Sequence, residues 1–135
     1  MQFLVDTNIW LELLLNQQRA EEVRQLFEGR EGSEFAITDF SLHSIGIALT
    51  RLGRDEAFVH FVADTFERAG TRLVRLDSAE MNRLLAARRQ FGLDFDDAYQ
   101  YAAAEKYNLT LLSFDTDSDR TARGRKTPAM LRVST

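Results

Sequence analysis

The sequence predicts an α/β fold in which helices cover both faces of a mostly parallel sheet. Short apolar runs with little polar alternation recur along the chain, which is typical of strands buried on both faces. Between these runs lie segments whose apolar residues recur with helical spacing. The chain has 135 residues and shows no repeat, linker or low-complexity segment, so we expect a single domain over 1–135.

Five apolar runs are predicted to be the strands of this sheet. They are "FLV" (3–5), "EFAI" (34–37), "RLVRL" (72–76), "TLLSF" (110–114) and "MLRV" (130–133). Because helical segments separate them, neighbouring strands are expected to run parallel.

Five segments between the strands are predicted to be helical. The first, "TNIWLELLL" after Asp6, is apolar nearly all round, so it must be largely buried or paired. Three more carry apolar stripes: Leu42, Ile45, Leu49 and Leu52; Phe58, Phe61, Val62 and Phe66; Met81, Leu84, Leu85 and Phe91. Ser78 is the predicted N-cap of the third stripe, and the last helix is predicted from about Phe95 to Tyr107.

Composition and charge narrow the function classes. The absence of cysteine rules out disulfides, thiolate-bound zinc and a cysteine nucleophile. The net charge of −4 argues against holding nucleic acid by bulk electrostatics alone, although nucleic acid can still be a substrate. The basic run "RTARGRK" is interpreted as a solvated loop. Without a signal-like N-terminus or a membrane-length apolar run, a cytoplasmic protein with no membrane contact is expected.

Acidic residues follow four of the predicted strands. In a parallel sheet, ligands bind beyond the carboxyl ends of the strands, so these side chains are expected to gather at one edge. They are Asp6, Asp39, Asp77 and Asp115, and Asp94, Asp96 and Asp97 crowd the start of the last helix. Helix capping and the helix dipole are the simpler explanation for most of them. Asp6 is different, because an acid set in such an apolar segment needs partners.

Taken together, Asp6, Asp97 and Asp115 suggest a carboxylate cage. Hard oxygen ligands without histidine or cysteine suit Mg²⁺ or Mn²⁺. Such a cage serves phosphodiester hydrolysis, because the cation activates water and stabilises charge on the attacked phosphate.

The same residues resemble the PIN domain family, and within it the VapC-type toxin ribonucleases. The resemblance lies in "FLVDTNIWLELLL" and "FDDAYQYAAAEKYNLTLLSFDTD", with helices between strands, and covers essentially the whole chain. It implies a PIN-like domain over 1–135, a three-layer α/β/α fold with strand order 3-2-1-4-5, and a metal-dependent endoribonuclease. It also implies an RNA substrate and a toxin–antitoxin pair, in which a small antitoxin covers the acidic site.

Carried over residue by residue, the resemblance assigns roles within the site. Asp6, Asp97 and Asp115 match the catalytic, metal-binding acids of the family, and Asp117 matches a less regular acid that contributes through water. The supporting residues are Asn8, Ser113, Ser44 and Asp96.

The sequence departs from the family pattern at one acid. The family usually carries a glutamate in a T-x-x-E-L motif after the second strand, and the position aligned with it here is Ser44 in "ITDFSLHSIGIALTRL". Neither Asp39, which lies too early on the helix, nor the neighbouring His43 is a convincing substitute. The alternative function is therefore a PIN-fold protein with weak or no nuclease activity that binds RNA or protein.

Two other acidic motifs resemble "FDTDSD", but this chain lacks a feature that each of them requires. Haloacid dehalogenase phosphatases need much chain after D-x-D, and only 18 residues follow Asp117. An EF-hand loop needs glycine and glutamate where this chain has Arg120 and Lys126.

The apolar first helix is, in addition, a candidate dimer contact, so a homodimer is expected.

Overall fold

The computed structural model describes residues 1–131, which form a four-stranded parallel sheet with helices on both faces. The strands are β1 (Phe3–Val5), β2 (Phe35–Thr38), β3 (Arg72–Val74) and β4 (Thr110–Leu112). Their spatial order is β3-β2-β1-β4, and each neighbouring pair is parallel. The predicted fold class and the order 3-2-1-4 are confirmed.

The sheet differs from the prediction at the edge beside β4. Residues 130 and 131 belong to a 3-10 turn, Pro128–Leu131, and not to a fifth strand, while residues 132 and 133 of that prediction lie outside the described part. At this edge, β4 instead pairs through a single parallel bridge between Leu112 and Lys126. Pairing stops soon afterwards because Pro128 has no backbone N–H to donate.

Six α-helices occur among residues 1–131. They are α1 (Thr7–Leu14), α2 (Ala20–Glu28), α3 (Asp39–Arg51), α4 (Asp55–Val62), α5 (Met81–Phe91) and α6 (Phe95–Tyr107). The sequence prediction missed α2, whose buried positions Ala20, Val23 and Leu26 repeat every three residues in a charged segment. Ser78 is not the N-cap of α5 but opens the 3-10 turn Ser78–Glu80 before it. Within the described part of the chain, every helix is too short or too polar to cross a membrane.

Alternation along the strands separates two apolar cores. Leu4 and Ala36 face the core under α5 and α6, while Phe3, Val5 and Phe35 face the core under α1 to α4. On this second side Trp10 of α1 stacks on Phe27 of α2, with ring centroids 4.7 Å apart. Within this domain only Ile9 and Trp10 of α1 are fully buried, and its leucines are partly buried.

Three helices begin at the carboxyl edge of the sheet. Asp6, Thr38 and Asp94 are the N-caps of α1, α3 and α6, and each side chain accepts a hydrogen bond from a backbone N–H in the first turn. The positive ends of three helix dipoles therefore converge on this edge.

Candidate functional site

A cleft of about 360 Å³ lies at the carboxyl edge of the sheet, where the helix N-termini converge. Five aspartates line it: Asp6, Asp94, Asp96, Asp97 and Asp115. Leu11 and Phe40 add apolar walls. The fold thus brings together acids that lie up to 109 positions apart in the sequence, from Asp6 to Asp115.

Asp6 is the most buried of these acids, with 7% of its surface exposed. Its Oδ1 accepts hydrogen bonds from the Thr7 backbone N–H (2.8 Å) and from Gln100 Nε2 (3.0 Å). Its Oδ2 accepts from Ser113 Oγ (2.8 Å) and, more weakly, from Asn8 Nδ2 (3.4 Å). Burial raises the pKa of Asp6, and these hydrogen bonds oppose that rise. Asp6 is therefore an oriented carboxylate, with two donors on each oxygen.

Two of the lining acids, Asp97 and Asp115, form a close group with a further aspartate, Asp117, which does not line the cleft. One oxygen from each of Asp97, Asp115 and Asp117 lies within 4.8 Å of the others. Asp97 comes from the first turn of α6, whereas Asp115 follows β4 and accepts a hydrogen bond from the Asp117 backbone N–H at 2.9 Å. Asp117 is exposed and pairs with Arg120 at 3.2 Å.

The close group is electrostatically unfavourable without a compensating cation. Burial, followed by repulsion from Asp115, Asp94 and Asp6, raises the pKa of Asp97 to about 7. A bound cation would reverse this effect, because it favours the ionised form of every neighbouring carboxylate.

The donor set fits a hard divalent cation. Mg²⁺ prefers oxygen ligands at 2.0–2.1 Å in an octahedron, so its opposite ligands are about 4.2 Å apart. One oxygen from each of Asp97, Asp115 and Asp117 lies within 4.8 Å of the other two, so the three could bind one such cation together. No histidine or cysteine belongs to the group, which disfavours zinc.

Asn8 and Ser113 tie the ends of β1 and β4 together around Asp6. Asn8 Nδ2 donates to Ser113 Oγ at 3.1 Å, and Asn8 Oδ1 accepts from the Phe114 backbone N–H at 3.0 Å. Ser113 Oγ also accepts from the Asp115 backbone N–H at 3.0 Å. Because these bonds span the two strands, they fix Asp115 relative to Asp6.

Two serines of α3 lie near the site, and they differ in their contacts. Ser44 is half-buried and lines the cleft. Ser41 is fully buried and accepts hydrogen bonds from Thr7 Oγ1 (2.8 Å) and Gln100 Nε2 (2.9 Å). When the T-x-x-E-L spacing is counted from the N-cap Thr38, the glutamate position is Ser41, so the alignment with Ser44 was three residues too far along the helix.

Ser41 and Gln100 are the residues that the sequence prediction missed. The stretch "TDFSL", which keeps the motif with serine in place of glutamate, could have identified Ser41. Gln100 stands in the alanine-rich helix α6, and a polar residue on a buried face is a weak signal of the same kind.

Several other candidates lie away from the cleft, and one lines it but is exposed. His43 is exposed and lines a neighbouring groove together with Asp39, which accepts a hydrogen bond from Tyr99 Oη at 2.7 Å. Asp77 lies within 3.5 Å of both Arg75 and Lys106. Asp96 lines the cleft but is exposed.

The basic run after the site is not simply a solvated loop. Arg125 pairs with both carboxylate oxygens of Asp119, at 3.0 and 3.2 Å, and donates to the Ser113 carbonyl at 3.0 Å. Arg123 donates to the Asn108 side chain and to the Leu109 carbonyl, each at 3.1 Å. Arg125 therefore braces the turn that carries the acids, whereas Arg123 holds the segment that enters β4.

Comparison with known proteins gives one family and a set of similar structures. A family model described as PIN domain matches residues 3–124. No curated protein sequence matches the chain. A toxin-antitoxin complex from Klebsiella pneumoniae is 21% identical, with a TM-score of 0.74 over 94% of this chain and 98% of that one.

Two further solved structures share the fold. VapC20 of Mycobacterium tuberculosis, described as a sarcin-ricin loop cleaving toxin, is 18% identical, with a TM-score of 0.73 over 93% of this chain and 97% of that one. FitAcB of Neisseria gonorrhoeae is 17% identical, with a TM-score of 0.72 over 96% of this chain and 100% of that one. At these identities the likeness shows a common fold.

Proposed function

Because the chain belongs to the PIN domain family, we propose that its carboxylate cleft is the active site of a metal-dependent endoribonuclease carried by a single domain over 1–135. PIN domains are typically nucleases. The observation that supports the proposal most strongly is the close group of Asp97, Asp115 and Asp117, with Asp6 facing the same cleft. We further propose that the protein is the toxin of a toxin–antitoxin pair and acts in the cytoplasm.

The roles of the acids follow from their surroundings. Asp97, Asp115 and Asp117 would hold Mg²⁺ or Mn²⁺, because their oxygens lie close together with few other partners. Asp6 would add a ligand to this cation through its Oδ2, whose bond from Asn8 Nδ2 is long at 3.4 Å, while its other hydrogen bonds hold its orientation. When bound, the cation supplies positive charge against the attacked phosphate and acidifies water in the site.

The chain itself contributes binding surface for a nucleic acid. The N-termini of α1, α3 and α6 direct partial positive charge at the cleft, which favours a phosphate group. Phe40 offers an aromatic wall on which a base can stack. RNA is the proposed substrate because the similar VapC20 is described as cleaving the sarcin-ricin loop.

An antitoxin is the proposed partner, because the similar structures include a toxin-antitoxin complex. An apolar cavity of about 540 Å³ is lined by Trp10, Leu14, Phe27 and Phe61. Such a cavity can take apolar side chains of a partner. A partner's basic side chain would also be attracted to the acidic cleft. Homodimerisation stays a prediction, which light scattering at micromolar concentration can test.

A second candidate function is RNA or protein binding with weak or no cleavage. The observation that favours it is the serine at the position of the family glutamate, which leaves the site one negative charge short. Weak metal binding would follow from the smaller charge.

Calorimetric titration with Mn²⁺ tests the proposed site directly. We expect the wild type to bind Mn²⁺ and Asp97→Asn to bind at least about tenfold more weakly, because a ligand charge is lost. Asp96→Asn is the matched control, since it removes an exposed charge from the same helical turn. Equal Mn²⁺ affinity in wild type and Asp97→Asn would contradict the site.

An RNA cleavage assay separates the two candidate functions. Cleavage that requires Mg²⁺ or Mn²⁺, and that is lost in Asp6→Asn and in Asp97→Asn, supports the nuclease. RNA binding without cleavage by the metal-loaded wild type would support the binding module instead.

A further inference from the structure

Gln100 has a buried carboxamide that links the start of α3 to Asp6 of the acidic site. Only 2% of its surface is exposed. Its Nε2 donates to Asp6 Oδ1 at 3.0 Å and to Ser41 Oγ at 2.9 Å, and its Oε1 accepts from Thr38 Oγ1 at 2.8 Å. A buried amide with three partners is fixed in position, because losing any partner leaves a polar group unpaired.

The residues at the two ends of this network, Asp6 and Thr38, determine which groups in it donate and which accept. A carboxylate such as Asp6 only accepts hydrogen bonds, so it must face the amide nitrogen of Gln100. Thr38 Oγ1 accepts from the Ser41 backbone N–H at 3.0 Å, which leaves its own proton for Gln100 Oε1. Ser41 Oγ accepts from both Gln100 and Thr7. The N-cap of α3 thus orients Gln100, and Gln100 orients Asp6.

The same network occupies the place of the missing acid. Ser41 stands where the T-x-x-E-L pattern has glutamate, and the Gln100 side chain fills the space beyond its short hydroxyl. A glutamate here would put a second negative charge beside Asp6. The serine and glutamine instead place a neutral donor on Asp6 Oδ1.

We propose that Gln100, together with Ser41, takes the place of the family glutamate and acts as a positioning residue that fixes Asp6 for metal binding. This inference rests on the proposed function, because it assumes that the cleft binds a divalent cation. It assigns a role to a residue that does not touch the cation. Partners of this kind typically contribute 10- to 100-fold to metal affinity.

The first test compares two substitutions of adjacent residues on α6. Gln100→Met keeps the length of the side chain but removes the donor to Asp6, and we expect Mn²⁺ affinity to fall by about tenfold. Tyr99→Phe is the matched control, since it also removes buried hydrogen bonds, to Leu76 and Asp39, without touching Asp6. Its Mn²⁺ affinity should stay within about twofold of the wild type, so a loss specific to Gln100→Met is not a general effect of destabilisation.

The second test exchanges the two arrangements. Ser41→Glu combined with Gln100→Ala replaces the serine–glutamine pair by a glutamate and a small side chain of similar total size. If the pair substitutes for the glutamate, the double variant binds Mn²⁺ at least as tightly as the wild type, whereas Gln100→Ala alone binds about tenfold more weakly. This test decides the matter even if Gln100→Met folds poorly.

The outcomes separate the inference from the function beneath it. A wild type that binds no Mn²⁺ overturns both. A wild type that binds Mn²⁺ while Gln100→Met and Gln100→Ala bind equally well overturns the positioning role and leaves the proposed function standing. A double variant that binds more weakly than the wild type also overturns the inference.

Discussion

Asp97→Asn should stabilise the metal-free protein, although it removes a residue of the proposed active site. Burial and three neighbouring carboxylates raise the pKa of Asp97 to about 7, from the usual 3.8. The folded protein therefore holds this proton over a pH range in which the unfolded chain has lost it. As the pH rises from about 4 through 7, the free energy of unfolding of the wild type falls. Asparagine stays neutral, so the variant lacks this part of the pH dependence.

The size of this stabilisation follows from the raised pKa of Asp97 and from the solvent screening of its charge. Each pKa unit corresponds to about 1.4 kcal/mol, but solvent screens this partly exposed carboxylate, so we expect a gain of about 1 to 2 kcal/mol at pH 8. Losing a negative charge in the first turn of α6 works in the opposite direction by about 0.5 kcal/mol. Repulsion is the larger effect, so the net gain is about 0.5 to 1.5 kcal/mol and Tm should rise by about 2 to 6 °C.

Thermal unfolding in EDTA at pH 4.5 and at pH 8, and again with saturating Mn²⁺, measures this prediction. The variant should match the wild type at the lower pH and exceed it at pH 8. With Mn²⁺ the order should reverse, because a ligand at 100 times its Kd stabilises the wild type by about 2.7 kcal/mol. Asp96→Asn should show neither effect. A metal-free Asp97→Asn protein that melts at or below the wild-type temperature at pH 8 would refute the reasoning.

Two further substitutions test how the turn that carries the acids is held and how closely Gly32 packs against Ala69. Arg125→Ala removes the pair with Asp119 and the bond to the Ser113 carbonyl, so the free energy of unfolding should fall by about 1 to 2 kcal/mol in urea titrations. Arg120→Ala, which breaks an exposed pair, should cost under about 0.5 kcal/mol, and equal losses would contradict the bracing role of Arg125. Gly32→Ala should lower the free energy of unfolding by about 1 to 3 kcal/mol, because a Cβ on Gly32 would collide with the Ala69 carbonyl. An unchanged free energy of unfolding would mean that the two segments move apart easily.

That these acids lie close together could be predicted because parallel strands end at one edge. Asp6 and Asp115 each follow a short apolar strand, and strand topology alone brings such residues together. The position of Asp97 could be predicted in the same way, because the helix that leads into the parallel strand β4 begins at that edge. By contrast, α2 was missed because only three small or aliphatic residues mark its buried face.

The prediction of a fifth strand was wrong for a related reason. The run at 130–133 is apolar, yet Pro128 precedes it, and the edge beside β4 is met earlier by Lys126. Apolar content predicts burial, but it does not say which segment reaches a sheet edge first.

The amino-acid sequence by itself determined the α/β architecture and the set of acids, because local periodicity and the residues that follow strands are properties of neighbouring positions. Only the tertiary structure decided how those acids are held. Thr38, Ser41 and Gln100 come from two helices and a strand end. Gln100 bonds to Thr38, to Ser41 and to Asp6 only once α3 and α6 pack on the same sheet. A side-chain network of this kind depends on distances between remote positions, and residue spacing in one sequence does not contain that information.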